Sequence, residues 1–306
     1  MDVRALSALK ARLLKRKLAL SHEEDADGIV SAALYLMVYP DAVLVLARPQ
    51  EVRRTSLNWL NLFTWDYVAD LPCPRKAKLR VDHHVTNEPC AEVEFYDPGA
   101  PCAAALALEA LGLKGNPRAE LLVELARQTD TASIVDQRAW DLNDAVKGAD
   151  YGGRLYLAVE LARRGLEVLD EERVRKWILK NRARRARTER IADAIGASEI
   201  VLVEFSRDLD ISYRGLCTIL ERRGAKFIAL VVPREGAYRV YLAASRDSDY
   251  DVSAIAAKLG GGGHRRAAGA RFAELAELYD EVKRYLGLKE LEILVISDGE
   301  IVRKKL

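Results

Sequence analysis

Residues 22–27 read HEEDAD, a histidine and four carboxylic acids directly ahead of Gly28. Acids this close repel one another, and Asp is a poor helix former. Such a cluster persists where a cation neutralises it. A second group, Asp82-His83-His84 in VDHHVTN, sets two imidazoles beside another carboxylate. Oxygen and imidazole donors without thiolates suit manganese or magnesium better than a structural zinc site. A pair of metals about 3.5–4 Å apart requires bridging carboxylates and further ligands. Asp70 in YVADLP and Asp130 in RQTDT are available for that purpose. Either alone is ordinary, because Asp is common at element ends. With Asp25, Asp27, Asp82, His83 and His84 they form a set.

The chain holds four histidines, His22, His83, His84 and His264. A single histidine is more often structural than a ligand. Here each falls at or beside an Asp-rich or Gly-rich turn and none in the middle of a regular helix or strand pattern, which points to function. His264 follows four glycines in LGGGGHRRAAG.

Bringing residues 25, 82 and 130 together requires a scaffold, and the first half of the chain alternates strand and helix. RKLALS (16–21), AVLVLAR (42–48), KLRVDH (78–83) and AEVEFYD (91–97) read as buried strands. GIVSAALYLMV (28–38), PCAAALALEALG (101–112) and PRAELLVELARQTD (117–130) read as helices. This alternation predicts an α/β fold with a mostly parallel sheet covered on both faces. Ligands of such sheets sit beyond the carboxyl ends of the strands. The acid cluster follows one predicted strand, and Asp82-His83-His84 ends another.

Residues 171–197 form one long, charged helical pattern, with an apolar stripe of Val174, Trp177, Ile178 and Ile191 and nine Lys or Arg between Arg173 and Arg190. A solvated helical linker is the plain reading, and nucleic-acid contact is the other. Alternation then resumes with strands at 199–205, 226–233 and 238–245, helices at 213–224, 252–259 and 272–287, and a final hairpin around Asp298-Gly299. The expected organisation is a first domain over 1–165, a helical linker over 166–197 and a smaller α/β domain over 198–306.

At 306 residues the chain is long enough for two domains, and its hydrophobic half supplies a substantial core. The 48 basic and 46 acidic residues leave a net charge of +2, which selects no partner by charge. No apolar run reaches the roughly 18 residues of a membrane span, so no membrane partner is expected. The N-terminal MDVRALSALKARLLKRK is a basic, amphipathic helix pattern and not a signal peptide. Cys73, Cys90, Cys102 and Cys217 show no CxxC spacing and are expected as buried, reduced thiols of a cytoplasmic protein.

DADG, the aspartate of ADLP, DHH, the aspartate of QTDT and GGGGHRRAAG occur in the order that marks the DHH phosphoesterase family, and the second half resembles its DHH-associated domain. The resemblance spans nearly the whole chain. It implies that Asp25, Asp27, Asp70, His83 and Asp130 ligate metal, with two manganese ions expected and magnesium as the alternative. It further implies that Asp82 orients His83 and that His84 faces the substrate phosphate, these two forming the catalytic pair. Many relatives place the first histidine four residues before the first aspartate of DxDG. Here His22 stands three before Asp25 and Ser21 holds the family's place, so the resemblance leaves His22 open as a metal ligand. From the second domain, Arg246, His264 and Arg265 are implied to contact phosphate, with Gly261, Gly262 and Gly263 letting backbone N–H groups approach the substrate. The active site is then expected as a cleft, with metal on one domain and a substrate-end clamp on the other.

The implied reaction is two-metal hydrolysis of a phosphoester, in which no nucleophilic Ser or Cys is required. The family includes RecJ-type exonucleases, nanoRNases, phosphoadenosine-phosphate phosphatases and cyclic-dinucleotide phosphodiesterases. No extra nucleic-acid module and no sensor segment is evident in the sequence, so the chain is most similar to the nanoRNase type, with short oligonucleotides as substrate. A mononucleotide bisphosphate or a cyclic dinucleotide is the alternative substrate, a non-catalytic scaffold in a replication complex the alternative role, and a homodimer one assembly to consider.

Overall fold

A computed structural model describes residues 2–52, 58–297 and 300–306. The chain divides into two compact units, Met1–Arg182 and Ala183–Leu306. In the first, α1 (Val3–Leu13) leads into β1 (Leu18–His22), α2 (Ala26–Val38), β2 (Val43–Ala47), β3 (Trp65–Ala69), β4 (Ala77–Asp82) and β5 (Ala91–Tyr96). Helices α3 (Ala103–Ala110), α4 (Pro117–Asp130), α5 (Gln137–Gly148) and α6 (Tyr151–Arg164) follow, and α7 (Glu172–Ile195) runs through the boundary between the units.

The five strands form a sheet in the order β2-β1-β3-β4-β5, and every pairing is parallel. Register decides what this sheet can do. Ser21 pairs with Ala69, and Ala69 pairs with Val81. The next residue on each strand path, His22, Asp70 and Asp82, therefore lies in one row at the carboxyl edge. Helix α2 is apolar almost all round, as a fully enclosed helix must be. Residues 26–36 of it are buried, and it packs on α3, α4 and α6.

Strand β3 occupies the centre of the sheet, although the sequence pattern shows no strand there. Its Asp66 interrupts an otherwise apolar run of Trp65, Tyr67, Val68 and Ala69, all buried. The carboxylate is tolerated because Leu18 N donates to it at 3.0 Å, Lys78 Nζ at 2.8 Å, and Arg12 Nη1 lies at 3.0 Å. Helices α5 and α6 are likewise additions to the sequence reading.

The cysteines also depart from expectation. Cys73, just after β3, and Cys90, just before β5, are joined as a disulfide with Cα atoms 6.0 Å apart. Parallel pairing through β4 brings the two strand ends within disulfide reach. Cys102 and Cys217 are free and buried.

The second unit contains β6 (Ile200–Phe205), α8 (Tyr213–Arg222), β7 (Phe227–Arg234), β8 (Ala237–Ala244), α9 (Val252–Lys258), β9 (Gly262–His264), β10 (Ala267–Phe272), α10 (Leu275–Leu286), β11 (Glu292–Ser297) and β12 (Glu300–Lys305). Its mixed sheet runs β12-β11-β6-β7-β8-β10-β9, with β6 parallel to both β7 and β11. One face packs on α8 through Leu216 and Leu220, and the other on α9 and α10 through Ile255, Leu278 and Val282. The chain is thus α/β throughout, with a parallel sheet in the first unit and a second α/β sheet in the shorter one. The turn at Asp298-Gly299 lies outside the described residues, and β11 and β12 flank it as an antiparallel pair. Among the described residues no helix is long and apolar enough to cross a membrane.

Candidate metal centre

At the end of β1 the backbone passes close beneath α2. A Cβ on Gly28 would lie 2.4 Å from the His22 carbonyl oxygen, so this residue has to be glycine. Asp25 caps α2 by accepting from Gly28 N at 3.0 Å, and Ser21 Oγ donates to Gly28 O at 2.6 Å. His22 Nδ1 sits 2.9 Å from Asp25 Oδ2 and 3.0 Å from Asp70 Oδ2. Asp27, one residue into the helix, accepts from Ala103 N and Ala104 N, each at 2.7 Å. The N-terminus of α3 thereby faces this carboxylate, the favourable end of a helix for an anion. Glu23 and Glu24 are occupied by Arg48, at 2.7 and 3.1 Å, and so stand apart from the cluster.

Asp70 directly follows β3 and holds a left-handed backbone, with φ 55°. Non-glycine residues adopt that region rarely, and at a functional site it commonly aims a side chain. His83 Nδ1 lies 3.2 Å from Ala100 O and donates to it, which leaves Nε2 as the ligating nitrogen. That Nε2 faces Asp130 Oδ2 at 3.6 Å, Asp27 Oδ2 at 3.7 Å and Asp70 Oδ1 at 3.8 Å.

The expected contact of Asp82 with His83 is not made. Asp82 Oδ1 instead lies 3.0 Å from His84 Nδ1, while its Oδ2 accepts from Arg80 Nη1 and Asn87 Nδ2, both at 2.7 Å. Side chains alternate along a strand. Residues 80, 82 and 84 share one side of β4 and its extension, and His83 turns to the other, toward Asp27.

The charges do not balance among the protein groups alone. Burial, with Asp25 and Asp130 nearby, pushes the Asp27 carboxyl up to about 8. Burial and the same crowding carry Asp70 well above the usual carboxylate range, and burial also raises Asp130. Burial is the largest influence on Asp25 and disfavours its charge, but the hydrogen bond and charge of His22, with the Gly28 amide and Lys147, together outweigh it and hold the carboxyl at about 2. His22 shows the converse: burial opposes its charge, yet Asp25 and Asp70 draw it up to about 11. The hydrogen bond that His84 donates to Asp82 raises its pKa despite burial.

Three buried polar atoms, His22 Nε2, Asp70 Oδ1 and His83 Nε2, have no hydrogen-bond partner among the described residues. Potential ligand atoms converge in three overlapping sets: His22, Asp25 and Asp70; Asp27, His83 and Asp130; Asp70, His83 and His84. Asp70 is common to two neighbouring groups, one oxygen toward His22 and the other toward His83. Orphaned donors amid carboxylates that cannot ionise together match what a divalent cation requires.

In the second unit, Arg246 follows β8, and Gly261, Gly262, Gly263, His264 and Arg265 lie in and beside β9, with β10 between the two strands. Ala243 pairs with Ala267, and Ala244 N donates to Arg266 O at 3.0 Å. Arg266 ties down the loop after β8, donating to Ser248 O at 2.7 Å and Arg246 O at 2.8 Å. Arg265 donates to Asp249 O at 3.1 Å, so part of its guanidinium serves that loop. Arg246 and residues 261–265 are exposed. Within the glycine run the reasons differ. A Cβ on Gly261 would lie 2.2 Å from Gly269 O and one on Gly263 2.5 Å from Ala268 Cα, whereas one on Gly262 would meet nothing within 4 Å.

Several participants were not visible as such in the sequence. Asn87 and Arg80 flank the DHH triplet at i+5 and i−2, the latter on the strand face of Asp82, and strand periodicity could have singled it out. Ala100 acts through its carbonyl, and Ala103 and Ala104 through their amides, for which side-chain identity gives no signal.

Residues 200–288 match the DHHA1 domain family. Over most of its length the chain is similar in structure to the pGpG-specific phosphodiesterase PggH from Vibrio cholerae, with 19% identity, 89% of this chain and 97% of that chain covered, and a TM-score of 0.67. It is also similar to the exonuclease RecJ bound to manganese, at 14% identity, 94% and 95% coverage and a TM-score of 0.56. An exopolyphosphatase-related protein from Bacteroides fragilis matches at 13% identity, 94% and 97% coverage and a TM-score of 0.52. No curated protein matches the sequence.

Proposed function

We propose that this chain, which has the fold of the DHH family and carries a DHHA1 domain over residues 200–288, is a divalent-metal-dependent phosphodiesterase of short oligonucleotides. The observation that carries the reading is His83 Nε2, buried without a partner and faced by Asp27, Asp70 and Asp130 at 3.6–3.8 Å. Asp25, Asp27, Asp70, His83, Asp130 and His22 are the residues to hold the cations. Manganese or magnesium bound there supplies a water of lowered pKa and neutralises charge on the phosphoryl oxygens.

The chain's own groups do the rest. Ala100 O fixes the tautomer of His83 and so directs its Nε2 inward. His84, with about half of its side chain exposed and Nδ1 held by Asp82, which favours the charged form of the ring, presents its imidazole to a phosphoryl oxygen. Arg246, His264 and Arg265 bind the substrate's phosphate, and Gly262, open on its Cβ side, offers backbone for close approach. The working division remains residues 1–165 for metal and 198–306 for substrate, with 166–197 as linker.

Short oligonucleotides are favoured by the two-domain resemblance and by the similarity to PggH, whose named substrate is a dinucleotide. The test is hydrolysis by the purified protein in manganese of oligonucleotides of graded length, a cyclic dinucleotide and phosphoadenosine phosphate. Turnover fastest on two to four nucleotides is the expected result. Activity confined to either of the other substrates would overturn the substrate assignment. Absence of any hydrolysis, with no rise in melting temperature on adding manganese, would make the protein a scaffold.

A further inference from the structure

The second residue before the DHH triplet is an arginine. Arg80 is fully buried inside the parallel sheet; Nη1 and Nε of its guanidinium are engaged in one neighbourhood, and Nη2 has no hydrogen-bond partner among the described residues. Nη1 donates to Asp82 Oδ2 at 2.7 Å and to Leu71 O at 3.3 Å, and Nε donates to Glu94 Oε2 at 3.0 Å. Glu94 is itself pinned, accepting from Cys90 N and Ala91 N at the start of β5. The guanidinium lies over the Tyr96 ring, 5.6 Å from its centroid.

Two of these partners lead to the same place. Asp82 Oδ1 receives His84 Nδ1 at 3.0 Å and His84 N at 3.3 Å. The Tyr96 hydroxyl donates to His84 O at 3.2 Å. Side chain, amide and carbonyl of His84 are thus each anchored to a group that touches Arg80. Among the described residues no hydrogen bond joins Arg80, Asp82 or Tyr96 to His83, whose ring touches that of His84 but whose Nδ1 donates to Ala100 O on the other side of the strand.

We propose that Arg80 is a positioning residue for His84: its planar fork fixes the Asp82 carboxylate and the Tyr96 ring, and these set where the His84 imidazole stands. The proposal rests on the reading of His84 as the group that faces the substrate phosphate. Lysine could supply the charge at position 80 but not the fork, because an ammonium is a point donor without fixed directions. Outer groups that orient an active-site residue typically influence activity by 10–100-fold.

Arg80→Lys, checked for folding by circular dichroism, should lower kcat by about 10–100-fold while KM and the calorimetric affinity for manganese stay within about twofold. In a His84→Ala background the same substitution should have no further effect on kcat, because the two act as one unit. A readout independent of activity is available because the chain has only four histidines. In long-range 1H–15N spectra of the labelled, chelator-treated protein at one pH, Arg80→Lys should move the His84 side-chain nitrogens and leave those of His22 and His264 in place. If Arg80→Lys does not fold, Tyr96→Phe takes its place, with a smaller fall in kcat and the same selective movement of His84 resonances. Additive losses in the double variant, a fall in manganese affinity matching the fall in kcat, or unmoved His84 resonances would overturn the proposal. Should the wild-type protein hydrolyse no oligonucleotide, the functional reading fails on that result alone, and the spectra still decide whether Arg80 positions His84.

Discussion

His22 and Asp70 face each other from adjacent parallel strands, with the histidine Nδ1 3.0 Å from the aspartate Oδ2. Each stands one residue beyond the Ser21–Ala69 register pair, so the sheet itself sets their approach. The left-handed backbone of Asp70 completes the turn inward. Ser21, at the place many relatives give to histidine, is used in a hydrogen bond to Gly28 O.

His22→Ala should therefore weaken manganese binding about as much as His83→Ala, since each removes a buried ring nitrogen that has no protein partner at the cluster. Isothermal calorimetry on the two variants compares them directly. A negligible change for His22→Ala would confine that residue to holding Asp25 and Asp70 in place.

His83 and His84 should separate in their effects. His83→Ala removes the nitrogen among three carboxylates and should lower manganese affinity by at least about tenfold. His84→Ala should leave binding near wild type and slow turnover, because its Nδ1 is engaged by Asp82. Equal loss of metal in both variants would contradict this division.

The pH dependence of stability follows from the crowded carboxylates. Asp27 titrates near about 8 in the folded chain against an ordinary value of 3.8, so it favours folding while protonated. That contribution is complete below about pH 4 and is lost as pH climbs through 8. Asp70 and Asp130 shift the same way, and the His22 contribution, present below 6.5, is lost as pH rises through about 11. Asp25, lowered to about 2, contributes in the opposite sense, and its contribution fades only at more acid pH. The melting temperature in chelator should fall between about pH 5 and 8. Saturating manganese should reverse that trend, because ligation displaces protons. Asp27→Asn should flatten the slope and abolish manganese-dependent hydrolysis with the fold intact. A chelator-treated protein that grew more stable across this range would refute the account.

In the second unit, Gly263→Ala should destabilise the β9–β10 hairpin, because the residue sits at φ 146° and its new Cβ would strike Ala268. A loss of about 1–3 kcal/mol in denaturant unfolding is expected. Gly262→Ala should fold normally. On the proposed function, Arg246→Ala and His264→Ala should raise KM on dinucleotides with manganese affinity unchanged, which steady-state kinetics and calorimetry together would read.

Much of this was legible beforehand. Strand β1 with its acid cluster, β4 ending at Asp82, and α4 ending at Asp130 announce themselves by apolar runs that stop at chemistry-bearing residues. Strand β3 did not, because Asp66 breaks its pattern and is satisfied by Leu18 N, Lys78 and Arg12, partners remote in sequence. The pairing of Cys73 with Cys90, 17 residues apart, depends on strand adjacency that no spacing rule conveys. The partner of Asp82 was misassigned for a related reason: neighbours in sequence at a strand end point to opposite sides, so His84 and not His83 shares its face.

The sheet order carries one more implication, for how the protein comes into being. The residues gathered at the carboxyl edge arrive from positions 22 to 130, from β1, the central β3, β4 and finally α4. A chain still emerging from the ribosome holds only a partial set of donors until α4 has left the exit tunnel and docked. Capture of the cation by the complete set of donors has to wait for α4, and it lends its binding energy to all of those segments at once.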